Sequence, residues 1–196
     1  MHHRIATCIL LAFLALPALA LGATWQIDPE HSQVGFKVRH LMISNVKGEF
    51  AKYQGTVEID DQDITRSRVN VTIDTASIDT GVVKRDEHLR SPDFFDVVTH
   101  PTMTFVSKKV AKAGEGQLKV TGDLTIRGVT KEATLAVENL SAPIKDPWGS
   151  FRRGASATAK INRKEFGLAW NKALEAGGVA VGDEVTITLE VEMIRK

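Results

Sequence analysis

Few side chains in this sequence could do chemistry, and their spacing points away from catalysis. Beyond residue 23 there are four histidines, His31, His40, His88 and His100, and no cysteine, since Cys8 lies before them. His31 and His40 are an odd number of residues apart, so on one regular strand they face opposite ways. No H-x-H, H-E-x-x-H or C-x-x-C spacing offers a zinc site, and no metal is expected. Gly149-Ser150-Phe151-Arg152-Arg153-Gly154 is not a nucleophile elbow. Ser32 beside His31 points to the other face of a strand. Gly122 to Gly128 lacks the G-K-[ST] ending of a phosphate loop. No catalytic residue is assigned.

A polar cluster remains. Arg85, Asp86, His88 and Arg90 are followed by Asp93, Phe94, Phe95 and Asp96. One reading is a solvated helix with local Arg–Asp pairs and a Phe pair closing one end of the fold. The other is a lid whose Phe residues touch an apolar ligand while Arg85, His88 or Arg90 meets its polar head. Phe166, Leu168 and Trp170 form a second apolar stripe, of strand spacing, for which core packing is the simpler account.

The elements that must position these residues are strands. Apolar and polar residues alternate in about eight segments, the pattern of strands with one buried face. Examples are Val34-Phe36-Val38, Val69-Val71-Ile73, Leu118-Val120 with Leu124-Ile126, and Val185 to Met193. The exception is the stretch from Thr75 to His100. There Val82 to Arg90 suits a helix of two or three turns that Pro92 ends. A second short helix or turn is expected around Leu41–Val46. No linker or repeat divides the chain. Eight antiparallel strands can close into a barrel that holds one small ligand, or form a sandwich. Ala155, Ala157 and Ala159 on one strand face, and Gly122 on another, favour a hollow unless Phe and Trp from neighbouring strands fill it.

Composition narrows the partners. Of 196 residues 43% are hydrophobic and 25% charged, and 24 basic against 24 acidic residues lie beyond residue 21. That balance argues against nucleic acid, whose phosphates call for a clear positive excess. Residues 1–23 read as a signal peptide: a basic start to Arg4, an apolar run from Ile5 to Leu16, then Pro17 and small residues. Cleavage is expected after Ala20 or Ala23. It leaves one domain, 24–196, with no integral membrane span; a retained anchor is the alternative.

The ordered blocks of this chain resemble the YceI-like family of bacterial lipid- and polyisoprenoid-binding proteins. They begin with His31-Ser32, Val34, Phe36, Val38 and His40 and run through Ala76-Ser77-Ile78-Asp79-Thr80. The most specific is R-D-x-H-L-R-S-x-D-F-F-D from Arg85 to Asp96. Gly122 to Lys131, Asp146-Pro147-Trp148-Gly149, Ile161-Asn162-Arg163 and Val181 to Val185 complete the match. The resemblance implies an all-β fold: an eight-stranded antiparallel lipocalin-like barrel with one short helix in the 81–91 excursion. It further implies export to the periplasm, pairing as a homodimer, and an elongated apolar ligand, such as a polyprenyl chain or isoprenoid quinone, in the lumen. No other cofactor is expected.

On that footing the expected apolar lining is Phe36, Val38, Phe94, Phe95, Phe105, Leu124, Ile126 and Trp170. Arg85, His88 and Arg90 are the expected head-group residues. Two alternatives stand beside this non-catalytic carrier. One is a quinone- or lipid-linked enzyme or redox accessory using His40 or His88 as acid–base. The other is a secreted interaction domain with a filled core.

Overall fold

The computed structural model describes residues 22–175 and 177–196, so the expected signal segment lies outside them except for its last two residues. Twelve strands form: β1 (Ala23–Ile27), β2 (Gln33–His40), β3 (Ser44–Phe50), β4 (Tyr53–Ile59), β5 (Arg68–Asp74), β6 (Ile78–Asp79), β7 (Thr102–Gly114), β8 (Gln117–Ile126), β9 (Val129–Glu138), β10 (Ile144–Lys145), β11 (Phe151–Asn162) and β12 (Val181–Arg195). One helix, α1 (Val83–Arg90), occupies the expected excursion.

Eight strands close a ring in the order β11-β9-β8-β7-β5-β4-β1-β12, and β12 pairs back onto β11. β2 prolongs β1 along β12, β3 leads into β4, and β6 continues β5. The architecture is therefore an all-β, eight-stranded antiparallel barrel with one short helix. A closed ring leaves few unpaired strand edges. Its shortest seam joins β9 to β11 through Ser156↔Glu138, Ala157↔Val137 and Thr158↔Ala136.

Three of the barrel walls break at one level, and the sequence shows why. Pro29, where β1 gives way to β2 along β12, has no N–H for the ladder, and Asp28 accepts from the Glu30 N–H at 3.0 Å. The next wall breaks at Ala51-Lys52 and the third at a 3-10 turn, Thr75–Ser77, capped by Asp74. Thr75, fully buried, donates to the His100 carbonyl at 2.7 Å and so pins the end of the excursion to the barrel.

The structure decides one local expectation and corrects two others. Of the short helix or turn expected around Leu41–Val46 the turn forms, at 41–43, and leads straight into β3, because Val46, Gly48 and Phe50 continue the strand alternation. Leu41 (φ 48) and Met42 (φ 59) sit in the left-handed region, the conformation of a two-residue hairpin turn that normally selects Asn-Gly. Each such residue costs about 1–3 kcal/mol. Phe166, Leu168 and Trp170 are not on a strand. A 3-10 turn, Arg163–Phe166, ends in left-handed Gly167 (φ 79), and the stripe comes from this turn and the loop after it. Gly122 does not widen the hollow either. A Cβ there would lie 2.4 Å from the Val106 carbonyl oxygen and 2.8 Å from the Phe105 ring, so glycine admits Phe105 instead.

Candidate functional site: an apolar lumen closed at both ends

Inward-facing residues of all eight walls enclose a cavity of about 280 Å³. It runs from Ile59, Ile64 and Met193 at one end to Leu89, Phe94 and Phe95 beneath α1 at the other. The interior is hollow, not filled. Ala155, Ala157 and Ala159 supply much of the room on β11, beside Leu135 and Val137 of the neighbouring strand β9.

The cavity surface is apolar because each polar group at the wall is already paired. Tyr53 turns its hydroxyl to the Ser32 carbonyl, and burial pushes that hydroxyl's pKa up, keeping it protonated. The Ser67 hydroxyl accepts from the Asp60 N–H at 3.1 Å. Arg163, the one charged residue bordering the cavity among the described residues, donates to the carbonyls of Gly182 (2.9 Å), Trp170 (2.9 Å), Val181 (3.3 Å) and Leu168. Burial pushes its pKa down, and Asp183, 3.6 Å away, opposes that shift. A buried guanidinium is tolerable here because its donors are satisfied.

Of the residues expected to line the lumen, Phe36, Val38, Phe94, Phe95, Phe105, Leu124 and Ile126 border the cavity. Trp170 stands behind Phe94, with ring centroids 5.3 Å apart. The imidazole of His88 packs edge-on against both, 5.0 Å from Phe94 and 4.8 Å from Trp170. These three rings cap the α1 end. A second aromatic row, Phe36–Phe50–Phe95, continues inside, with centroids 5.9 and 5.7 Å apart.

The expected head-group residues sit in this cap, and none of them borders the cavity. Arg85 donates to the Thr80 hydroxyl at 2.7 Å and to the Thr80 carbonyl at 2.8 Å. Arg90 donates to the carbonyls of Ala76 (2.8 Å) and Ile78 (2.7 Å). Buried Asp86 accepts from the Thr80 N–H at 2.9 Å. Polar anchors thus fix α1 to the end of β6, while Leu89 is its contribution to the lumen. His88 Nε2 is hydrogen-bonded to Asp93 at 2.9 Å. Arg127, in the β8–β9 turn, donates to the Phe94 carbonyl at 2.6 Å and ties the cap to the opposite wall.

The other end is closed by residues the alternation had not singled out. Trp25 is fully buried, and Arg153 lies over its ring while pairing with Asp61 at 2.7 Å. Outside this plug a polar network surrounds Arg152, which reaches Asp28 (2.7 Å), Asp146 (2.7 Å) and Glu192 (2.5 Å). His31 bonds Asp28 at 2.8 Å. Asp28, Glu30 and His31 are the one set of three metal-type donors brought together among the described residues. The Arg152 guanidinium already stands against Asp28, so this is an ion-pair network. His40 lies far from it, at the end of β2 opposite Ser44 and Val181. Among the described residues no helix is long and apolar enough to cross a membrane.

The family model described as YceI-like domain matches residues 25–193. A UPF0312 protein of Vibrio vulnificus is 42% identical over 170 residues, covering 86% of this chain and 89% of that protein. The crystal structure of the Campylobacter jejuni YCEI protein superposes with a TM-score of 0.69 at 37% identity, over 86% of this chain and 96% of that one. A polyisoprenoid binding domain from Saccharophagus degradans shares the fold at 17% identity, with a TM-score of 0.64 over 89% of this chain and 99% of the other. The match of the family model across the whole barrel means that this chain belongs to the YceI-like family.

Proposed function

We propose that this protein is an exported, non-catalytic carrier that holds a long isoprenoid-type lipid, a polyprenyl chain or isoprenoid quinone, in the barrel lumen. The observation that carries the reading is a continuous apolar bore whose bordering polar groups are all engaged elsewhere. Such a wall recognises length and apolarity. Each buried methylene gives about 0.8 kcal/mol, so fifteen carbons give about 12 kcal/mol before the cost of ordering a flexible chain. The Saccharophagus degradans domain of the same fold, described as polyisoprenoid binding, supports this ligand class.

In this reading Phe36, Val38, Phe94, Phe95, Phe105, Leu124 and Ile126 contact the chain, with Trp170 backing Phe94. His88 is the polar group beside the capped end that meets a head group, and Arg85 and Arg90 hold the cap in place. Release from a signal peptide fits cleavage after Ala20. β1 starts at Ala23, which pairs with Ile59, and a cut after Ala23 would remove that pairing. The periplasm is the proposed destination.

Mass spectrometry of an organic extract of the natively purified protein tests the proposal. A stoichiometric isoprenoid lipid or quinone is the expected result. Phe36→Asp and Phe94→Asp should each abolish its retention in a folded protein. An empty extract that also fails to load with added prenyl lipid would overturn the carrier reading. Turnover of a quinone or lipid ester that disappears in His40→Ala or His88→Ala would replace it with the enzymatic one.

A further inference from the structure

The β2–β3 hairpin carries a combination of features that holding a ligand does not require. Its tip is apolar and exposed: Met42 is 49% and Ile43 76% accessible. The turn adopts left-handed backbone at Leu41 and Met42 with no glycine or asparagine to relieve it. Behind the tip, Lys37 and Lys47 lie directly opposite each other across the two strands, and Arg39 follows on the same face. This is the outer face, because Phe36 and Val38, one residue out of phase, border the lumen. Like charges opposed across strands destabilise a hairpin.

The basic residues outnumber the acidic ones on this face. No acidic residue occurs between Glu30 and Glu49, and Glu49, two residues from Lys47 on the same face, accepts from the Gln33 amide instead of pairing with a lysine. Among the described residues Lys37, Arg39 and Lys47 make no ion pair, and Glu184 and Asp183 on β12 are taken by Lys160 and Lys164. The apolar rim extends beyond the hairpin. Thr80 abuts Gly48 on β3, and Val82 (47%) and Val83 (71%) follow it at the start of α1.

We propose that the β2–β3 hairpin docks the barrel on an anionic lipid bilayer. Met42 and Ile43 enter the interface, and Lys37, Arg39 and Lys47 face the acidic head groups. Docking places the α1 cap, with Phe94 and Leu89 closing the lumen, beside the membrane. In that respect the inference rests on the carrier reading and names the surface from which cargo would pass. The far end of the barrel also exposes apolar residues, Ile144, Trp148 and Phe151. There, however, Asp146 and Arg152 neutralise each other, which leaves no comparable basic face.

Density-gradient flotation of the protein tests the proposal, using vesicles of phosphatidylcholine and phosphatidylglycerol in equal parts and vesicles of phosphatidylcholine alone. Flotation is expected with the mixed vesicles only, weakening as salt rises. Lys37→Gln and Lys47→Gln should each lower vesicle partitioning about fivefold. Ile43→Glu should abolish it, and Trp148→Ser should leave it unchanged; near-ultraviolet circular dichroism shows that each variant is folded. No flotation of the parent protein, or loss in Trp148→Ser with the hairpin variants unaffected, would overturn docking. Extracting cargo from the same samples separates the two readings. A protein that retains lipid but does not float refutes docking alone, and one that floats but never holds lipid refutes the carrier alone.

Discussion

The guanidinium of Arg153 lies 5.5 Å over the ring of Trp25, at the opposite end of an inward-facing row of β11 from Arg163. Between the two arginines the row contains Ala155, Ala157, Ala159 and Ile161, all bordering the lumen. β11 and the first residue of the 3-10 turn that follows it thus supply a stopper near each end and the hollow between them. Both arginines are buried, and both are satisfied by carbonyls or a carboxylate, which is the condition for keeping such a group inside.

Arg153→Met keeps the apolar stem and removes the charge. It loses the contact over Trp25, the Asp61 pair and the bond to the Ser141 carbonyl. Stability should fall by about 1–3 kcal/mol. Urea denaturation of parent and variant measures the difference.

Ala157→Phe fills the bore at mid-height while leaving the backbone pairing of β11 intact. The added ring buries apolar surface in a cavity, so folding stability should hold or rise by up to about 2 kcal/mol. Lipid occupancy should fall at least tenfold. A melting curve and the lipid-to-protein ratio of one preparation give both values, and unchanged occupancy would place the cargo elsewhere.

Arg90→Met separates a clamp from a head-group contact. Loss of two charge-assisted bonds to the carbonyls of Ala76 and Ile78 should cost about 2–4 kcal/mol and speed cargo exchange. The preference among lipids differing only in head group should not change. His88→Ala, in contrast, should alter that preference with a smaller loss of stability. Denaturation and competition between lipids read the two effects separately.

The Arg152 network gives stability a pH dependence at both ends of the range. Hydrogen bonding from Arg152, against opposing burial, holds the Asp146 carboxyl below its ordinary value of 3.8. For Asp28, burial pushes upward but the His31 and Arg152 hydrogen bonds outweigh it, and the net shift is downward from 3.8. Contributions from lowered carboxyls are complete above pH 3.8 and vanish as the pH falls through the lowered values. The bond to Asp28 raises His31 above 6.5, so its contribution is complete below pH 6.5 and is lost as the pH rises through the raised value. Thermal melts across pH should therefore show an acid limb that Asp146→Asn flattens and a shallow alkaline limb that His31→Ala removes.

The strands and their apolar faces could be read from the sequence because both depend on local periodicity, while the closed barrel was an implication of the family resemblance. A strand buried on one face alternates whatever it pairs with, so Phe36, Val38, Phe105, Leu124 and Ile126 could be placed on the apolar faces of their strands. The helix of the excursion, ended by Ser91-Pro92, was legible for the same local reason. Tertiary structure decided what alternation cannot encode. Arg153 and Arg163 share the inward phase of the alanine row, but only partners distant along the chain, Asp61 for one and Gly182 for the other, make an arginine acceptable inside. Gly122 looked like empty space until Phe105 on the neighbouring strand was seen to occupy it. Arg85 and Arg90 looked free to meet a ligand until β6 brought the carbonyls of Ile78 and Thr80 within reach. Whether a face turns inward is a property of one strand. Which buried charge is satisfied, and which gap is filled, depends on segments that meet only when the ring closes.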